Sequence, residues 1–121
     1  MGPEQAIQKQ ILDLLAVKAR GGGLWFSKVP LGPMKVGNSF AAPNPMKGFP
    51  DILCCYRGRF IGIEVKHGSR AKHQYQDQEH QSEMPAKLRE AGAVVIQVDS
   101  PDQVAAFFGL YDQGQWEIKT I

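Results

Sequence analysis

The sequence predicts an α/β fold, a mixed central β-sheet with flanking helices packed on it. Three observations predict it. Stretches with a helical apolar period alternate with short runs of Val, Ile, Phe and Tyr. Gly, Pro, Asn and Ser punctuate the boundaries between them. Two apolar runs flank a short Gly-centred turn, whereas a third follows a helical segment. At 121 residues the chain fits one domain, residues 1–121.

The elements follow in order. Residues 3–20 read as an amphipathic helix, with Ile7, Ile11, Leu14 and Leu15 on one face. Pro3 suits its first turn, and Gly21-Gly22-Gly23 ends it by allowing positive φ. Residues 24–29 form a strand, with Trp25 and Phe26 assigned to the core. Residues 30–50 hold five of the eight prolines, so regular structure is not expected there. Asp51–Tyr56 and Phe60–Lys66 form a hairpin around Arg57-Gly58-Arg59.

Residues 67–76 read as a polar, basic loop. A helix over 77–91 carries Met84, Leu88 and Ala91 on one face, and Pro85 fits only if that helix begins near Ser82 or kinks at the proline. Residues 93–98 form a buried strand. Ser100-Pro101-Asp102-Gln103 is a cap, an N1 proline and a capping-box glutamine, opening a helix through Phe108. Trp116-Glu117-Ile118 can add a strand. The order is α-β-β-β-α-β-α.

Composition excludes several classes. No apolar run approaches the ~20 residues of a membrane span, so no membrane partner is expected. The N-terminus lacks a signal-peptide pattern, and adjacent Cys54 and Cys55 make no disulfide framework, which points to a reducing cytoplasm. They read as strand residues, one inward and one outward. His67, His73 and His80 match no zinc spacing, and no phosphate-binding glycine loop or other organic-cofactor motif is present. The net charge is +2, but it is unevenly spread. Residues 18–72 net +8, residues 1–17 net −1 and residues 73–121 net −5. A basic middle segment suits a polyanionic partner. Its only acids are Asp51 and Glu64.

Those two acids carry the chemistry. Glu64 and Lys66 lie two apart on one strand and share a face, while Val65 points to the core. A hairpin centred on Gly58 sets Asp51 opposite Val65, near both. Two carboxylates and an ammonium at a strand end make a hard, oxygen-rich site suited to Mg²⁺ or Mn²⁺. Such an ion lowers the pKa of a water and neutralises phosphate charge.

Pro50-Asp51 followed by Glu64-Val65-Lys66 resembles the PD-(D/E)xK nuclease signature. Gly48-Phe49-Pro50-Asp51-Ile52, Gly62-Ile63-Glu64-Val65-Lys66, and Gln81 ahead of Leu88–Gly92 resemble more narrowly the VRR-NUC branch. The resemblance covers residues 4 to about 100. It implies a restriction-endonuclease-like core. It implies that Asp51, Glu64 and the Val65 carbonyl hold the metal, that Lys66 is the catalytic lysine, and that Gln81 orients water or phosphate beside them. Gln78 is the rival for that last place, and Glu4 is implied to reach the metal through water.

Lys35, Lys47, Arg57, Arg59, Arg70 and Lys72 are then the expected phosphate contacts. Short stand-alone members of the branch resemble Holliday-junction resolvases, so the expectation is a structure-selective endonuclease acting on branched DNA as a homodimer. That format also points to a phage or mobile-element source. A flap or restriction-like nuclease and a non-catalytic DNA-binding module are the alternatives.

Overall fold

A computed structural model describes residues 2–30, 34–36, 39–42, 48–67 and 83–115, with side chains described outside 34–36 and 39–42. Helix α1 spans Pro3–Ala19, and β1 spans Leu24–Lys28. Two short strands follow, β2 (Met34–Val36) and β3 (Ser39–Ala42). Then come β4 (Ile52–Tyr56), β5 (Arg59–Val65), α2 (Glu83–Glu90), β6 (Val94–Val98) and α3 (Pro101–Asp112). The architecture is α/β, a four-stranded mixed open sheet with three helices among the described residues.

The strand order is β1-β4-β5-β6. β1 pairs antiparallel with β4, β4 antiparallel with β5, and β5 parallel with β6. β2 and β3 pair as a separate two-stranded unit. This corrects the expectation that 30–50 lacks regular structure. Its prolines bracket 34–42 without interrupting it, so every residue there keeps the N–H a ladder needs.

The core lies on one face of the sheet. Ile11 and Leu15 of α1, and Val104, Phe107 and Phe108 of α3, pack on Ile52, Cys54, Tyr56, Ile61, Ile63, Val65, Val94, Ile96 and Val98. Alternation along each strand supplies that face. Burying each large aliphatic side chain contributes roughly 1.5–3 kcal/mol. Trp25 corrects its assignment to the core, because it is 60% exposed. It pairs with exposed Cys55 on the opposite face, while neighbouring Phe26 pairs with buried Cys54 and packs on the core.

Local rules explain the ends. Gly22 and Gly23 adopt φ of 86° and 80° after α1. Pro85 is the third residue of α2, inside the first turn, where a missing N–H costs nothing. The Ser100 hydroxyl accepts from the Gln103 amide at 3.3 Å, and the Gln103 side chain accepts from the Asp99 amide at 2.7 Å. Helix α3 runs to Asp112, four residues past its expected end at Phe108. Nothing in Gly109-Leu110-Tyr111 forces a stop, and Tyr111 packs against Phe107 and Tyr56. The tail at 116–118 lies outside the described residues.

Candidate functional site

The hairpin closes through Arg57 and Gly58 alone, with Tyr56 opposite Arg59. Both turn residues have positive φ, 51° and 85°, the signature of a tight two-residue turn that matches strand twist. The expected three-residue turn therefore loses one residue, and the register moves by one. Ile52 pairs with Ile63, which sets Asp51 beyond the ladder on the side of Glu64 rather than opposite Val65. The shift matters because facing positions share a sheet face. It puts both carboxylates on one face.

The contacts follow from this register. The Val65 amide donates to Oδ2 of Asp51 at 2.7 Å. Lys66 Nζ lies 3.3 Å from Oε1 of Glu64, and both side chains are largely shielded from solvent. The Lys66 amide continues the ladder by donating to the Val98 carbonyl at 2.9 Å. Its stem is therefore fixed at the root.

Other elements end here too. β1 runs antiparallel to β4, so Lys28 falls opposite Ile52, and the Val29 amide donates to the Asp51 carbonyl at 2.8 Å. Helix α1 reverses through Gly21–Gly23 into β1, which returns its N-terminal turn to the same end of the sheet. Glu4 is on that turn, half-buried.

The electrostatics report the convergence. Burial, then the charge of Asp51, pushes the Glu64 carboxyl up to about 7, with Lys66 opposing and Glu4 adding to the rise. Burial also raises the Asp51 carboxyl, against the Val65 amide, Lys66 and Lys28, which lower it. Two carboxylates that burial and mutual repulsion drive toward protonation favour a bound cation. Among the described residues no three His, Cys, Asp or Glu side chains close on one point. The carboxylates that could hold a cation here are Asp51 and Glu64, with water and main-chain oxygen completing a shell. That set suits Mg²⁺, which keeps several waters, and does not suit a zinc cage.

Asp51, Glu64, Lys66 and Glu4 thus come together at one end of the sheet. Arg57 and Arg59 do not join them. They sit at the hairpin tip, about 20 Å along β4 from Asp51. Arg57 lies over the Tyr56 ring at 5.1 Å, and Arg59 Nε donates to the Gly92 carbonyl at 3.1 Å. Lys35 belongs to β2, and its side chain is not among those described. Lys47, Arg70, Lys72, Gln78, Gln81, His73 and His80 lie outside the described residues. Sequence reasoning missed Lys28 as a neighbour of Asp51, because only the β1–β4 register brings them together. Cys54 is no rival nucleophile. Burial pushes its thiol up to about 12.

Comparison with protein-family models, with curated proteins and with solved structures finds no match. The residues themselves therefore carry the functional reading. Among the described residues no helix is long and apolar enough to cross a membrane.

Proposed function

We propose that this chain is a Mg²⁺- or Mn²⁺-dependent endonuclease of the PD-(D/E)xK kind, VRR-NUC-like, with a restriction-endonuclease-like core. The observation that carries the reading is the joint placement of Asp51, Glu64 and Lys66. The Val65 amide anchors Asp51, and Glu64 pairs with Lys66 two residues on.

Asp51 and Glu64 would hold the cation, with the Val65 carbonyl completing the protein's share. When bound, the ion supplies a water of lowered pKa and neutralises phosphate charge. The chain's own residues do the rest. Val65 fixes the Asp51 carboxylate so that it does not reorganise. Glu64 holds the Lys66 ammonium at 3.3 Å, where it can donate to oxygen that gains negative charge. Lys28 adds a positive charge on the flank and favours a phosphate there.

The substrate in this reading is branched DNA, cut by a homodimer. A four-way junction presents two cuts related by a two-fold axis, which two copies of the site would match. The test is cleavage of four-way junctions, flaps and linear duplexes with Mg²⁺ or Mn²⁺. Paired symmetric nicks in the junction are expected. Asp51→Ala and Lys66→Ala should each lower the rate by roughly 100-fold or more. Variants that cut as fast as wild type would overturn the mechanism, and preferential cutting of flaps would replace the substrate.

A further inference from the structure

The inward stripe of α1 changes character along its length. Glu4, Gln8, Ile11 and Leu15 recur at the three- and four-residue spacing of one helix face. Ile11 and Leu15 are fully buried against the sheet. Gln8 is half-buried one turn before Ile11, and its Oε1 is buried with no hydrogen-bond partner among the described residues.

A buried amide oxygen without a donor costs about 1–3 kcal/mol, and an apolar residue would serve the packing better. Packing of a core stripe alone gives no reason for a glutamine here. One turn toward the N-terminus lies Glu4, whose charge reaches both Asp51 and Glu64. A turn of helix spans about 5.4 Å, so Gln8 stands one turn further along α1 than Glu4, on the same helix face.

We propose that Gln8 is a positioning residue of this site, its amide oxygen accepting a hydrogen bond from a water of the bound divalent cation's hydration shell. The inference rests on the nuclease reading and extends it. It assigns a second polar residue of α1 to the site, beneath Glu4. A cation held by only two carboxylates retains several waters, and each needs an acceptor to be held in place. Gln8 Oε1 is a buried acceptor with capacity to spare.

The experiment is Mn²⁺ titration by calorimetry, paired with thermal melting in EDTA, on the full chain. Gln8→Met keeps length and removes the acceptor. It should weaken Mn²⁺ binding about 10-fold or more, while raising the metal-free melting temperature by roughly 3–6 °C. Gln8→Glu restores an acceptor at the same reach, and should bind Mn²⁺ at least as tightly as wild type. If Gln8→Met does not fold, Gln8→Ala removes the same oxygen without adding bulk, and its Mn²⁺ affinity is read the same way.

Unchanged Mn²⁺ affinity in Gln8→Met, whatever its melting temperature, would overturn the inference. So would an equal loss in Gln8→Glu, which would mean that the site needs the amide and not an acceptor. Wild type that binds no Mn²⁺ at all would sink the nuclease reading, and this inference with it. Mn²⁺ binding that is lost in Asp51→Asn but kept in Gln8→Met would sink the inference alone.

Discussion

Val65 donates its amide to the carboxylate of Asp51, fourteen residues earlier in the chain, at 2.7 Å. The bond joins the start of β4 to the end of β5, beyond the last pair of their ladder. A side chain here takes the place of the next backbone acceptor. The hairpin therefore fixes the aim of Asp51 as rigidly as it fixes its own strands.

The Glu64 carboxyl sets a pH dependence. Its folded-state pKa of about 7 lies above the ordinary 4.5. The folded protein therefore binds the proton more tightly than the unfolded chain. The stability this contributes is fully present below about 4.5 and is lost as pH rises through about 7. In EDTA, urea unfolding should show wild type losing roughly 1–3 kcal/mol across that window relative to Glu64→Gln. Parallel pH profiles for the two proteins would contradict it.

Gly62 sets the position of Pro50. A Cβ on Gly62 would stand 2.6 Å from Pro50 Cγ, closer than real contacts allow, and 3.0 Å from Pro50 Cβ. The proline ring is rigid and buried, so Gly62→Ala must shift it, and Asp51 follows it directly. A loss of about 1–3 kcal/mol in stability is expected. Weaker Mn²⁺ binding should accompany it, and a variant equally unstable but with full affinity would separate Pro50 from the site.

Lys28 flanks Asp51 from the neighbouring strand. As a phosphate contact it should contribute without regard to sequence. Lys28→Gln should weaken DNA binding and reduce the slope of log affinity against log salt by about one. Anisotropy titrations at several salt concentrations measure this. An unchanged slope would place Lys28 off the DNA path.

Tyr56 marks the far end of β4. Its hydroxyl donates to Oδ1 of Asp112 at 2.8 Å, and Lys18 lies over its ring at 4.9 Å while reaching Asp112 at 3.9 Å. This group ties α1, β4 and α3 together away from the candidate site. Tyr56→Phe should cost about 1 kcal/mol by denaturant unfolding and leave cleavage within about two-fold of wild type. A large drop in cleavage at full stability would show the two ends to be coupled.

The local elements were legible in the sequence. The α1 stripe of Ile11 and Leu15, the glycines after it and the Ser100 cap each state their conformation within four residues. The α/β class followed from the order of such segments, and Asp51, Glu64 and Lys66 stood out by type and spacing on one hairpin. What sequence could not supply was the partner across a distance. Arg57 takes positive φ without being glycine, so the turn lost a residue and the register moved by one. Trp25 looked like core until β1 proved to be an edge strand with Trp25 turned away from α1.

The sequence by itself determined the three helices, the four strands of the main sheet and which residues bear charge on the hairpin, because period, caps and alternation act over a few residues; it missed β2 and β3. Only the tertiary structure decided that Glu4 and Lys28 lie at the end of the sheet that holds Asp51. That outcome depends on α1 folding back along β1 and on β1 choosing β4 as its neighbour. Such pairings are set by the burial of whole faces, and no local pattern records them.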